Sequence, residues 1–242
     1  MRRRRRYHNN ALVTVPTDGP DSVFVPQSAA DFTSLGIVAA NSLWQMQESA
    51  VPLADSIGAI TWSQDNGTPE YQQSVSGWDR LFIKISETSF ERVNYTSGDY
   101  QYGSGTSAAF LTYFHGLEAV NTNRGFMLHS GNTNKARITN AGVVSWLVQS
   151  VATVGSYNYE DGAAHPFLFV YNATDSTVKL FSDQEVLTGT FNATITAGQR
   201  GIGDVSGTAA VSFSCWSAAW FGANAETIDQ TTLTKLGWAL AY

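Results

Sequence analysis

Cysteine is nearly absent: Cys215 is the only one in 242 residues, so no disulfide can form within the chain and the fold must rest on a buried core. Basic residues are scarce as well. Fourteen Lys and Arg stand against 20 Asp and Glu, and five of the fourteen, Arg2 to Arg6, follow Met1 in one run. The nine that remain against 20 acids leave the body with a formal charge of −11. Such a body repels a polyanion over most of its surface, so nucleic acid is an unlooked-for partner. No apolar run has the roughly 20 residues that a membrane helix needs. ALVTVP, after the arginines, is short and ends in proline, so neither a membrane span nor a secretory signal is expected. His8, His115, His129 and His165 have no short metal-ligand spacing and form no HExxH. GSGTSA (103–108) lacks the lysine and the strand–helix context of a phosphate loop. Asn-x-Ser/Thr occurs at Asn66, Asn94, Asn172 and Asn192, as an Asn- and Thr-rich composition produces by itself.

What is plentiful is Thr, Ser, Gly, Val and Asn, with 12% aromatic residues. This is a composition of short strands joined by turns. Strands are predicted at RLFIKI (80–85), AAFLTYF (108–114), GFML (125–128) and VVSWLV (143–148). PFLFVY (166–171) and TVKLF (177–181) flank NATDS and predict a hairpin. AAVSFSCWSAAWF (209–221) alternates, with Val211, Phe213 and Cys215 on one face. Ser28, Asp31 and Gly36 predict a short capped helical turn. A cap at Asp229 or Thr227, with Leu233, Leu236 and Gly237, predicts a short helix near the C-terminus. Prolines at 16, 20 and 26 interrupt the start of the chain. The expected organisation is therefore an extended N-terminal arm over residues 1–40 and an all-β antiparallel sandwich over 41–242.

Three stretches carry a resemblance. NSLWQMQESAVPLADSIGAITW (41–62) places Trp44, Glu48 and Asp55-Ser56-Ile57-Gly58 as the opening of laminin-G-like, concanavalin-A-like jelly-roll domains places them. HPFLFVYNATDSTVKLFSD (165–183) is similar to a hairpin of those domains, without its usual glycine. WSAAWFGANAETIDQTTLTKLGW (216–238) resembles their closing strand, short helix and L-G-W end. The resemblance spans about residues 36 to 238 and implies a jelly-roll fold. Calcium is implied for some members, but no clear acidic set marks such a site here, and no cofactor is expected. This ending together with an arm resembles virion proteins of tailed bacteriophages.

Candidate chemistry is sparse. Glucanases of this fold carry E-x-D-x-x-E on one strand, and the chain has no such triplet. Ser182-Asp183-Gln184-Glu185-Val186 sits at a hairpin end and is expected to be solvated charge. Cys215, in an apolar strand, is expected to be a small buried hydrophobe rather than a nucleophile. Ser63 to Thr68 matches most of an Asp-box, once, and Asp65-Asn66-Gly67 predicts a turn. Of the seven tryptophans, Trp62 and Trp78 flank polar stretches and are the candidates for stacking on a sugar.

The sequence points first to a non-enzymatic virion structural protein, capsid-decorating or tail-associated. It would be made in the host cytoplasm and displayed on the outer surface of the particle. Arg2, Arg3, Arg4, Arg5, Arg6 and Tyr7 would form an assembly arm gripping a major capsid or other lattice protein, with the chain oligomeric within that assembly. The alternative is a carbohydrate- or receptor-binding module on the same fold, with a host glycan as partner. A second alternative is a jelly-roll capsid protein whose arginine arm binds the genome, for which five arginines on an acidic body are few.

Overall fold

Runs rich in Val, Ile, Phe and Thr become strands where a pleated surface can be covered, and helical turns form where capping residues punctuate the chain. A computed structural model describes residues 24–50, 53–58, 61–66, 70–74, 81–85, 92–96, 106–115, 124–128, 134–148, 151–161, 163–190, 199–204, 213–222 and 225–242. The elements in chain order are α1 (Ala29–Ser34), β1 (Ser42–Trp44), β2 (Ser63–Asn66), β3 (Glu70–Ser74), β4 (Leu81–Ile85), β5 (Arg92–Thr96), β6 (Ala108–His115), β7 (Arg124–Leu128), β8 (Asn134–Ile138), β9 (Val143–Val148), β10 (Val151–Asn158), β11 (Ala164–Asn172), β12 (Thr177–Phe181), β13 (Val186–Thr190), β14 (Gln199–Asp204), β15 (Phe213–Phe221), a 3-10 turn (Ala225–Thr227) and α2 (Gln230–Lys235).

Among the described residues the strands form two antiparallel sheets. The first runs β13-β12-β11-β6-β15-β4-β3, with β1 joined to β15, and the second runs β10-β9-β8-β7-β14-β5-β2. The chain is thus an all-β antiparallel sandwich with a short helix near its C-terminus.

Two hydrophobic layers explain why β11 is apolar at almost every position. Phe167, Phe169 and Tyr171 join Trp44, Phe110, Trp146 and Trp220 between the two sheets. Leu168 and Val170 face the other way and meet Val25, Phe32, Ile37, Leu233 and Trp238. A strand buried on both faces has no use for polar alternation. At β11 the outer face of the first sheet is therefore covered by chain segments, whereas Lys179 and Thr188, beyond it on the same face, are exposed.

This second layer corrects the expected domain boundary. The packed body does not begin at residue 41 but reaches back to Phe24, whose N–H donates to the Leu236 carbonyl at 2.7 Å. Phe32, in α1, is fully buried and meets Phe221 edge-on, with ring centroids 5.2 Å apart. Residues 1–23, with Arg2 to Arg6 and Tyr7, lie outside the described residues.

Local signals account for both helices. Asp31 accepts from the Ser28 N–H at 3.0 Å, and Gly36 takes the left-handed backbone (φ +68) that ends α1. Asp229 accepts from the Thr231 N–H at 2.8 Å, Leu233 and Leu236 are fully buried, and Gly237 (φ +93) stops α2. Lys235 then donates to the Gly36 carbonyl at 2.6 Å, tying the two ends of the body together.

The Asp55-Ser56-Ile57-Gly58 step is a structural clasp. Asp55 Oδ1 accepts from the N–H groups of Leu43, Ile57 and Gly58 at 3.0, 3.0 and 2.8 Å. A Cβ on Gly58 would lie 2.5 Å from Asp55 Oδ2, so no larger residue fits unless the clasp opens. Glu48 Oε1 holds the next loop by accepting from the Ala54 N–H at 2.8 Å.

Two local expectations change. Asp65 and Asn66 lie in β2, across a register shift between Gln64 and Asn66, and Gly67 of the predicted turn lies outside the described residues. The strand predicted at 209–221 is described over Phe213–Phe221, residues 209–212 lying outside the described set, and has a register shift against β6 between Cys215 and Ser217, which breaks simple alternation. The Val211, Phe213 and Cys215 side chains lie outside the described set.

One glycine fits a tryptophan across the core. A Cβ on Gly189 of β13 would lie 2.2 Å from Cζ2 of Trp146 on the opposite sheet. Gly189→Ala should destabilise the protein by about 1–3 kcal/mol, the usual range for overpacking. Urea unfolding checks this, and Trp146→Phe in the same chain should recover part of the loss.

Candidate functional site

At one end of the sandwich β11 outruns its neighbour. β12 pairs with β11 only from Leu168 onward, so Pro166 sits where no β12 partner needs its missing N–H. His165 lies just before it, on the strand face that points between the sheets. The chain leaving β12 turns at Ser182–Glu185 and brings Asp183 back alongside.

His165 is held on both nitrogens. Nδ1 lies 2.9 and 3.1 Å from the two oxygens of Asp183, and Nε2 lies 3.0 Å from Asp161 Oδ1. Its ring stands edge-on to Tyr159 at 5.0 Å. His165 is 2% exposed and Asp183 7%. Ionised carboxylates only accept, so both bonds are made together only by the doubly protonated ring. Burial alone would pull the imidazole's pKa down; hydrogen bonds and charge from Asp183, then Asp161, outweigh it and raise it. Burial likewise works to raise the Asp161 pKa. The Ala163 N–H, His165 and Tyr157 outweigh that and hold its carboxyl below the ordinary carboxylate range.

Glu185 joins the two sheets. β10 carries a register shift against β9 between Val154 and Asn158. Within it the Ser156 N–H donates to Glu185 Oε2 at 2.7 Å and the Tyr157 N–H to Oε1 at 3.3 Å. The bulge frees these donors from the ladder, and a carboxylate from the other sheet receives them. A Cβ on Gly155 would lie 2.2 Å from Glu185 Oε1, so glycine there makes room for the carboxylate. Ser182 Oγ lies 2.5 Å from the Tyr159 hydroxyl and accepts from the Gln184 and Glu185 N–H groups at 3.0 Å each. Burial, ahead of the nearby carboxylates, pushes the Tyr159 phenol far up, and it stays protonated.

Two tyrosines border this cluster. Tyr157, half-buried, donates to Asp161 Oδ2 at 2.8 Å, and this bond, ahead of burial, raises its pKa to about 12. Tyr242, 49% exposed, donates to the Ser182 carbonyl at 3.0 Å. Burial of its hydroxyl, then Asp183, raises its pKa to about 12. Both rings are pinned at the hydroxyl: Tyr157 on Asp161, whose side chain is 33% exposed, and the half-exposed Tyr242 on the turn that carries Asp183. Pinned aromatic rings beside acceptors can stack on an apolar sugar face and receive its hydroxyl protons.

The sequence-derived candidates fare differently. Trp62 is fully buried, 4.5 Å from Trp44 by ring centroid, so it belongs to the core and cannot stack on a ligand. Trp78 lies outside the described residues. Asp183 and Glu185 are no solvated hairpin charge: the first pairs with a buried histidine and the second staples two sheets. Sequence reasoning missed Tyr242, His165, Asp161 and Tyr157 as a group, because strand ends, not spacing, bring such residues together. Among the described residues no group of three or more His, Cys, Asp or Glu could hold a metal ion. No helix among them is long and apolar enough to cross a membrane.

No protein-family model matches the chain, and no curated protein matches it in sequence. Solved structures resemble it in fold. Domain 4 of AbnA, a GH43 extracellular arabinanase from Geobacillus stearothermophilus solved in complex with arabinotriose, is 11% identical with a TM-score of 0.59, over 81% of this chain and 97% of that one. The binding domain of botulinum neurotoxin DC, solved in complex with SialylT, is 8% identical with a TM-score of 0.55, over 82% of this chain and 52% of that one. A Shewanella oneidensis MR-1 protein of unknown function is 16% identical with a TM-score of 0.50, over 75% of this chain and 85% of that one. Likeness at such identities establishes the β-sandwich fold and nothing finer.

Proposed function

We propose that the chain is a glycan-binding module that meets its ligand at the Tyr157–Asp161–Tyr242 edge. One observation carries this reading: two tyrosine rings are fixed by their hydroxyls around carboxylates at the open end of β11, with Tyr242 half exposed. The fold adds support, since the arabinanase domain of that architecture was solved in complex with arabinotriose and the neurotoxin binding domain in complex with SialylT. The same site binds without turnover in this reading, because both carboxylates nearest His165 are engaged by it.

This support bears on glycan binding and not on a virion role. Placement on a virion surface, docking to a lattice protein and oligomeric assembly all rest on Arg2 to Tyr7, outside the described residues. Electron microscopy of particles with and without the protein addresses them separately.

A glycan array probed with the full chain tests the binding reading. Bound neutral oligosaccharides should release no reducing ends, and Tyr157→Ala or Tyr242→Ala should weaken binding about tenfold, equivalent to about 1.4 kcal/mol. Absence of any binding at millimolar sugar would remove the proposal.

A further inference from the structure

The outer face of the second sheet carries a polar feature of opposite charge. Ala136 and Ile138 of β8 and Val144 and Trp146 of β9 point into the core, so Arg137 and Ser145 between them take the outer face. The two are direct partners across β8 and β9. Ser145 is fully buried and Arg137 partly so, and neither Ser145 Oγ nor Arg137 Nε has a hydrogen-bond partner. Polar groups buried without partners are costly, and these two lie at directly paired positions of neighbouring strands. Burial also lowers the Arg137 pKa, as for a guanidinium held partly out of water.

The same register row continues across the sheet. Arg137 pairs with Gly125 of β7, Gly125 with Gly203 of β14, and Gly203 with Arg92 of β5. Two adjacent strands thus bring no side chain to the row, and Gly201, two residues along β14, extends the gap. Three strand spacings of about 4.8 Å put the Arg137 and Arg92 positions about 14 Å apart. On a body of net charge −11, an arginine at each end of a glycine-floored row stands out.

We propose that this row binds a carboxylate-bearing saccharide, with Arg137 and Ser145 holding one carboxylate and the Arg92 position meeting the far end of the chain. Arginine's planar fork matches a carboxylate on two oxygens, and Ser145 supplies a further donor. Glycine backbone lets a sugar ring approach closely. The site is distinct from the tyrosine edge, whose carboxylates repel an acidic ligand, and its existence does not depend on that reading.

Isothermal titration of the full chain with trigalacturonate, and with its carboxyl-reduced neutral counterpart, tests this. The acidic trimer should bind, and the reduced trimer at least tenfold more weakly. Arg137→Gln should lose at least tenfold in affinity for the acidic trimer while leaving any neutral glycan at Tyr157 unaffected. Arg137→Lys, which keeps the charge but not the fork, should fall between. Should Arg137→Gln fail to fold, phenylglyoxal labelling of the unmodified protein replaces it: trigalacturonate should shield Arg137. Equal binding of both trimers, equal binding by Arg137→Gln, no heat with the acidic trimer, or unshielded labelling of Arg137 overturns the proposal. Tyr157→Ala should leave trigalacturonate binding intact, so failure at the tyrosine edge and failure here are told apart.

Discussion

Asp183→Ala should destabilise the protein by about 3–5 kcal/mol at pH 5.5, the usual cost of removing one partner from a buried ion pair. The reason is the position of His165, which is 2% exposed and bonded to carboxylates on both nitrogens. Without Asp183 the ring must either keep an uncompensated buried charge or give up its proton. The pH dependence follows from the raised pKa of His165. A group whose folded pKa lies above its unfolded value of about 6.5 contributes fully below that value and loses the contribution as pH rises through the folded pKa. The protein should therefore be more stable at pH 5.5 than at pH 8.5 by this contribution, and Asp183→Ala should flatten that slope. Asp161 works in the opposite window. Its depressed pKa contributes above about 3.9 and is lost as pH falls through the folded value. Asp183→Asn keeps an acceptor oxygen for Nδ1–H and should cost less while still reducing the slope. Urea unfolding at pH 5.5, 7 and 8.5 measures all three chains. A loss under about 1 kcal/mol for Asp183→Ala at pH 5.5, with the wild-type slope retained, contradicts a charged, clamped histidine.

Trp62→Ala should cost about 3–5 kcal/mol, the range for deleting a large buried aromatic side chain. Trp62 is fully buried, packs 4.5 Å from Trp44 and stacks on Phe110 at 6.3 Å by ring centroid. Its backbone exchanges hydrogen bonds with Leu53 at 2.8 and 3.0 Å, which places the indole inside the loop that the Asp55 clasp closes. Trp62→Phe should recover more than half of the loss by refilling most of the cavity. Equilibrium unfolding is the measurement, and glycan binding at the tyrosine edge should be unchanged in any chain that still folds. A cost below about 1 kcal/mol would return Trp62 to the surface.

The contrast between Trp62 and α2 shows what was legible. Asp229, Leu233, Leu236 and Gly237 act on neighbours within one or two turns, so their pattern states its own outcome. Trp62 sits between Thr61 and Ser63, a polar flank that suggests exposure, yet Leu53 and Trp44 cover it. Strands buried on both faces, such as β11, announced themselves as continuous apolar runs. Strands of the second sheet such as β5 (RVNYT) and β14 (QRGIGD) did not, because polar residues and glycine on one face dilute the signal.

The amino-acid sequence by itself determined the all-β class, the principal apolar strands, both capped helices and the absence of a disulfide framework. Each follows from composition, period or a motif whose parts lie within a few residues. Only the tertiary structure decided that residues 24–40 belong to the body, that Asp183 clamps His165, that Glu185 joins the sheets, and that Arg137 and Ser145 share a row with two glycines. These facts depend on which strands become neighbours. In an antiparallel sandwich that is set by pairing between residues as far apart as Ser42 and Trp220, where no local pattern carries the partner's identity.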